Sequence, residues 1–456
     1  MKLTDHEHAG GSGGGRRIAV VGGGIAGLGA AWLLSRRHRV TLFEAGSYVG
    51  GHTNTVDVEI GGVSHPVDTG FLVFNRRTYP NLCALFAHLG VKSVASEMSF
   101  GVSLADPAIE WAGSDLGTVF AQRSNLLHPA FLGMLRDILR FNRDTTRMAA
   151  QGSAPDASLG AYLAGHGYGR AFRDWYLLPM AAAIWSCPTR TMLDYPLATF
   201  VRFCHNHGLL QILDRPQWLT VEGGGRSYVR RIVSQLDDVR IATPVQGVDR
   251  RADGVWLRTP EGAELFDEVV FACHSDQTLA ILGDGASADE RRILGAVRYQ
   301  PNVALLHTDA ALLPRRRKVW SAWNYLAGAG RPDERPVSVS YLINRLQPLP
   351  FDTPVIVSLN PFAEPAADKL IRRIEYAHPV FDQAAIDAQA ALPQLQGVRR
   401  SWFAGAWTGY GFHEDGLRSA VAIAERLGVD IPWRDGRDAT AAAMPAARHE
   451  ALREAA

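Results

Sequence analysis

The sequence predicts an α/β fold built on a Rossmann-like unit, with a second, α+β domain beside it. Three features predict it: an apolar strand that breaks into glycines and resumes as a helix, a central run of short alternating strands, and a glycine-bounded helix near the end. Composition agrees, because 456 residues with 47% hydrophobic and 20% charged side chains can bury a large core in two or three domain-sized masses.

The charge sum, 47 basic against 46 acidic residues, leaves no whole-molecule field to gather a polyanion, so no nucleic-acid partner is expected. Cys83, Cys187, Cys204 and Cys273 lie far apart, without a Cys-x-x-Cys pair or metal-ligand spacing. That usage suits a reducing, cytoplasmic compartment. Residues 1–15 are polar and glycine-rich, a flexible leader rather than a secretory signal. The longest charge-free apolar stretch, Trp175 to Thr189, holds Pro179 and Pro188. It is shorter than the roughly 20 residues of a spanning helix, so no transmembrane helix is expected. Only Lys2, Lys92, Lys318 and Lys369 are lysines, a skew that most simply reflects an arginine-rich genome.

The first element is Arg17-Ile-Ala-Val-Val-Gly22-Gly-Gly24-Ile25-Ala26-Gly27, a strand, a tight turn and the start of a helix. Gly22 permits the turn, Gly24 lets backbone amides approach a pyrophosphate, and Gly27 allows close helix–strand packing. The helix start, through Ile25 and Ala26, presents unpaired N–H groups to anionic oxygens. A second strand, Arg39 to Glu44, ends in a carboxylate 20 residues after Gly24, where an acid accepts hydrogen bonds from ribose hydroxyls.

The chain then runs straight into a second glycine pair, Gly50-Gly51-His52, where a plain NAD unit would enter another helix. This resembles the flavin-containing amine oxidase, phytoene desaturase and protoporphyrinogen oxidase superfamily, in which the acid is followed by a Gly-Gly-Arg turn beside the FAD diphosphate. The resemblance implies FAD as cofactor. Here the arginine is His52, which reads either as a phosphate donor without the guanidinium fork or as a loop residue. Val67-Asp68-Thr69-Gly70-Phe71 is similar to the superfamily's turn near the isoalloxazine ring, with an ordinary turn as the alternative. From Val239 to Cys273 short strands separated by Gly-containing turns form a β-meander like the one inserted in that FAD domain. Val245 stands where adenine or simple core packing would meet it. Ser401 to Gly405-Ala406, followed by the helix from Gly416-Leu417 to Gly428, resembles the C-terminal flavin motif. The positive end of that helix would favour charge on a reduced flavin.

The FAD-binding domain is therefore expected to be discontinuous, residues 16–79, 217–273 and 398–433. Residues 80–216 and 274–397 form the substrate domain, a helical block plus a mixed sheet, and residues 434–456 a tail. The helical block contains Phe131 to Phe141 and Trp175 to Trp185; the sheet contains Val303–His307, Val337–Tyr341 and Pro354–Leu359. No second strand–glycine–helix unit is found, so electrons are expected to pass to oxygen, a quinone or a protein rather than to a nicotinamide.

Many amine oxidases of the superfamily carry a lysine in the strand after the domain crossover, but Tyr299-Gln-Pro-Asn302-Val-Ala-Leu-Leu-His307 has none. The phrases Phe412-His413-Glu414-Asp-Gly-Leu417 and Tyr299-x-Pro-Asn302 with Leu306-His-Thr-Asp309 resemble bacterial FAD-binding proteins associated with cyclopropane-fatty-acid-synthase-like methyltransferases. That resemblance implies a lipid acyl substrate and a methyltransferase partner. Arg315-Arg-Arg-Lys318 with Trp320 and Trp323 reads as a peripheral membrane anchor on the inner membrane or as a solvated charge run.

Acyl desaturation needs a proton acceptor. His413 and Glu414 precede the flavin-facing helix and are candidate bases, with helix capping as the alternative for both. Asn302 reads as a hydrogen-bonding partner of flavin or as a buried structural amide. The expected activity is desaturation of a methyl-branched, cyclopropane or unsaturated phospholipid acyl chain. The rivals are a peroxide-releasing amine oxidase and a non-catalytic flavin-bound lipid carrier.

Overall fold

The computed structural model describes residues 15–185, 192–209, 215–329 and 337–434. The leader up to residue 14, Cys187 and the tail from 435 lie outside the described residues. Arg17–Val21 and Arg39–Phe43 are each buried over four successive positions, the pattern of a parallel sheet covered on both faces. They sit in a five-stranded parallel sheet in the order Asp238–Arg240, Arg39–Phe43, Arg17–Val21, Glu268–Phe271, Ser401–Phe403. Three separated stretches of chain thus build one sheet. The helix Ile25–Leu34 is buried at every residue and packs on the helix His413–Arg426. Gly29 permits that contact, since a methyl there would lie 2.6 Å from Leu417 Cδ1. The expected meander is three antiparallel strands, Gly247–Arg250, Val255–Thr259 and Gly262–Phe266.

The second sheet has seven strands, in the order Leu370–Val380, Arg298–His307, Ile356–Leu359, Val337–Leu342, Trp323–Ala327, Phe100–Leu104, Ile109–Ala112. The last two come from the block read as helical. Their alternation was hidden by Gly101, which has to be small because a methyl there would meet the Val319 carbonyl at 2.6 Å. The block does contribute the long helix Pro129–Gln151 and the helix Leu197–Asn206. The expected helix over Trp175–Trp185 begins as a π-helical turn, Arg173–Leu177, and continues as Leu178–Trp185. Pro179 has no N–H for the Trp175 carbonyl, which instead accepts the indole N–H of Trp111 at 3.3 Å. Among the described residues no helix is long and apolar enough to cross a membrane.

Candidate active site

A cavity of about 1290 Å³ lies between the two sheets. It exceeds the roughly 300–1,000 Å³ of a single-ligand pocket, and so has room for a cofactor and a substrate together. One end is formed by turns that leave the carboxyl ends of the parallel strands: Gly22 to Gly24, Glu44 to Gly46, Ala272 to His274, and Gly405 with Ala406. This is where open α/β sheets bind ligands.

At this end the glycines are explained by geometry. Gly22 has φ +107°, and a methyl on it would lie 2.9 Å from Cys273 N. Gly27 does not line the cavity; it lets the helix sit on the turn, since its methyl would come 1.8 Å from the Gly22 carbonyl. Beside Gly24 no protein atom lies within 4 Å of an added methyl, and Gly24 is an N-cap without a side-chain cap. The amides of the first turn through Ile25 and Ala26 are therefore left for an anion. Gly51, with φ +58°, approaches the Gly24 Cα, closing the other side of this cradle.

Glu44 accepts from Gly23 N and Gly46 N, each at 2.7 Å, one on each carboxylate oxygen. The two bonds fix the carboxylate at the cavity wall, and the remaining lone pairs are free for hydroxyl donors. Val245 lines the cavity and is also part of the core. His52 lines it too, stacked on Tyr376 at 4.7 Å with its buried Nε2 unpartnered. Burial, followed by the neighbouring His378, His274 and His413, holds its pKa well below the ordinary value, so it is a neutral ring. Among the described residues no arginine, lysine or aspartate lines the cavity. An anion there is met by backbone amides and helix dipole rather than by a side-chain cation. The residues fit a dinucleotide: an empty glycine cradle, unpaired helix amides, a fixed carboxylate and an unpartnered imidazole.

A family model described as flavin containing amine oxidoreductase matches residues 25–304, more than half of the chain. The chain belongs to the flavin containing amine oxidoreductase family. Its cofactor is FAD. A 168-residue stretch is 32% identical to a carotenoid phi-ring synthase of Chlorobaculum tepidum; it covers 35% of this chain and 23% of that protein. The chain thus spans about a quarter of that relative's length. The fold is shared with putrescine oxidase bound to putrescine, with 15% identity, a TM-score of 0.66, and 91% and 99% of the two chains covered. It is also shared with a CLA-producing fatty acid isomerase from P. acnes, with 15% identity, a TM-score of 0.63, and 90% and 98% covered.

In this flavin amine oxidoreductase the remaining expected site residues separate into two groups. Thr69, Gly70 and Phe71 line the cavity, but Gly70 is small because of the protein itself, its methyl lying 2.3 Å from the His52 carbonyl. Gly416 and Leu417 do not line it: Gly416 packs against Ile25, and Leu417 is buried beneath Gly29. They set the height of the helix rather than touch the cavity.

The candidate base Glu414 is corrected. Its carboxylate accepts from Asn81 N, Asn81 Nδ2 and Leu82 N at 2.7–3.1 Å. It therefore caps the first turn of the neighbouring helix Pro80–Leu89, away from the cavity. His413 does line the cavity, stacked on Phe71 at 3.8 Å, with Nε2 2.9 Å from Thr53 Oγ1. Burial lowers its pKa to about 3. Asn302 also lines the cavity, but its side chain is occupied. Oδ1 accepts from Asn360 at 2.6 Å, and Nδ2 donates to the Gln300 carbonyl and to His378 Nδ1 at 2.9 and 2.8 Å.

Sequence reasoning missed His207. It caps the helix Leu197–Asn206, and its Nδ1 lies 3.0 Å from the Phe203 carbonyl. Since a carbonyl only accepts, Nδ1 carries the proton and Nε2 holds the lone pair. The ring stacks on Phe203 at 4.1 Å and lies 5.5 Å from Phe412 in the cavity wall, where burial lowers its pKa to about 4. Only the doublet His205-x-His207 at the end of an amphipathic helix could have drawn attention to it. Trp323, read with the basic run as an anchor, instead lines the cavity edge-on to Tyr341 at 4.9 Å. Trp320 is tied by its indole N–H to the Pro314 carbonyl at 2.7 Å.

Proposed function

We propose that this FAD-dependent oxidoreductase is a desaturase of a neutral, methyl-branched or otherwise modified phospholipid acyl chain. The observation that carries the reading is the wall beyond the glycine cradle. It is built from Met98, Leu209, Trp218, Trp323, Tyr341 and Phe412, and among the described residues no lysine stands in it. Lys369 pairs with Asp309 at 3.1 Å, and Lys92 and Lys318 do not reach the cavity. Such a wall rewards burial of hydrocarbon and offers an ammonium group no buried carboxylate. The two lining carboxylates are Glu44, fixed at the cradle, and Glu375, on an exposed position of its strand. The fatty acid isomerase and the carotenoid phi-ring synthase support an apolar substrate by their names.

When bound, the flavin would supply a two-electron acceptor. The protein's part is to hold the chain and take the proton left by removal of two hydrogens. His207 Nε2 is the lone pair presented to that wall, and His413 is the alternative, already bonded to Thr53.

The test is anaerobic addition of methylated, cyclopropane and plain unsaturated phospholipids to the flavoprotein while its long-wavelength absorbance is followed. Bleaching by one lipid class, with that lipid two hydrogens lighter by mass spectrometry, is the expected result. Bleaching by putrescine alone would make it an amine oxidase. No bleaching by either would leave a lipid carrier.

A further inference from the structure

The exposed large hydrophobic side chains are concentrated. Leu116, Leu126, Leu127, Leu132 and Leu139 are 77, 50, 89, 44 and 57% exposed and fall within one short stretch of chain. Along the helix Pro129–Gln151 the exposed positions include Leu132, Arg136, Leu139, Arg143 and Arg147, spaced by three or four residues and so on one face. Phe131, Met134, Phe141 and Thr145 on the other face are buried.

An ordinary solvated face would carry mixed charge and few leucines. This helix carries Arg136, Arg140, Arg143 and Arg147 against Asp137, 3.5 Å from Arg136, and Asp144, 3.0 Å from Arg143, so four positive charges less two negative ones leave an excess of two. The basic run continues the patch, because a methyl on Gly117 would lie 3.1 Å from Lys318 Nζ, beside Leu116. Leucines with interleaved arginines suit an anionic bilayer, where the leucines enter the acyl boundary and guanidinium groups meet phosphates. The helix packs on Leu197–Asn206, which carries Phe203 and leads to His207, so a single helix separates this face from the cavity.

We infer that the outward face of Pro129–Gln151, with Leu116, Leu126 and Leu127 before it, docks the protein on an anionic lipid surface. The inference is independent of which substrate the cavity takes. It moves the membrane contact from the tryptophans of 320–323 to these leucines.

The test is co-sedimentation of the FAD-loaded protein with phosphatidylcholine vesicles, with and without roughly a third phosphatidylglycerol. Binding to the anionic vesicles that weakens with salt is expected, and Leu127→Ser/Leu139→Ser should reduce it tenfold or more. The flavin spectrum and melting temperature of the variant report its folding. If it misfolds, Arg136→Gln/Arg143→Gln/Arg147→Gln carries the test through reduced binding. Equal binding to neutral vesicles, or unchanged binding by folded variants, would overturn the inference. So would a concentration-dependent dimer that the leucine variant abolishes, which would make the face an interface between copies.

Discussion

Asn302 donates its amide N–H to Nδ1 of His378 at 2.8 Å, and that bond settles which imidazole nitrogen carries the proton. The order runs from the backbone. Val303 N donates to Asn360 Oδ1 at 2.9 Å, Asn360 Nδ2 donates to Asn302 Oδ1 at 2.6 Å, and Asn302 Nδ2 is then left to face His378. His378 consequently carries its proton on Nε2, 5.1 Å ring to ring from His52. Asn302→Leu leaves acceptor and donor groups in this buried chain without partners. It should lower unfolding stability by about 2–4 kcal/mol in urea titration; a loss under about 0.5 kcal/mol would show the chain is not formed.

Glu44→Gln keeps the shape at the cradle but gives one acceptor oxygen where two amides, Gly23 N and Gly46 N, each need one. The variant should bind FAD about tenfold or more weakly, consistent with roughly 1–3 kcal/mol for an unsatisfied buried donor. Fluorescence of released flavin on dilution reads this directly, and unchanged affinity would remove Glu44 from cofactor binding.

Glu414→Ala should act on stability alone. Three donors at the start of Pro80–Leu89 lose a buried carboxylate, a loss of about 2 kcal/mol. Turnover per bound flavin should match the parent protein; a fall in that ratio would return Glu414 to the chemistry.

His207→Gln removes the lone pair facing the apolar wall. Turnover should fall about a hundredfold or more, the range for loss of a general base. The flavin spectrum and FAD affinity should stay unchanged, because the rings His207 meets are Tyr79, Phe203, Trp218 and Phe412, none of them part of the cradle formed by Gly24, Glu44 and His52. A variant with full turnover would move the proton-accepting role to His413.

Acid should unfold this protein early. Burial lowers the pKa of His207, His307 and His378 to about 4 and that of His413 to about 3, against 6.5 for an exposed imidazole. Below pH 6.5 the unfolded chain takes up protons that the folded chain refuses, so this stability is complete above that pH and is lost as pH falls toward 4. Asp68, raised to about 6 mainly by burial, opposes the trend, and Glu414 and Asp415, also raised by burial, act in the same direction: the Asp68 contribution is present at low pH and lost as pH rises through about 6. Urea midpoints from pH 7 to 4 should fall steeply, and His207→Phe should make the slope shallower by about one proton. A flat profile would contradict the neutral-imidazole description.

The cofactor half was legible because its geometry is local: a glycine run between strand and helix, and an acid at the end of the next strand, sit within one short stretch. The substrate half depends on contacts between distant segments. His378 reaches Asn302 from the neighbouring strand and Asn360 from the bend that follows Ile356–Leu359, and nothing in their neighbourhoods marks them. Glu414 looked like a base because it adjoins His413, yet adjacent helical residues point in different directions, and one turns to the cavity while the other caps Pro80–Leu89. Trp323 looked like a membrane anchor because it follows four basic residues, although strand pairing with Val337–Leu342 turns it inward.

The sheet that forms the glycine cradle draws its final strand, Ser401–Phe403, from near the end of the chain, where it pairs with Glu268–Phe271. The turn at Gly405 that completes the cavity wall comes later still. During synthesis the nucleotide cradle therefore stays open until Ser401–Phe403 and Gly405 have left the ribosome, about 130 residues after Glu268–Phe271, so FAD capture is expected to follow their emergence. Until then the apolar edges of the sheet and the long-range pairing they await are exposed to chaperones and to aggregation. Flavin supply during expression should consequently set how much soluble protein accumulates, as well as how much of it is loaded.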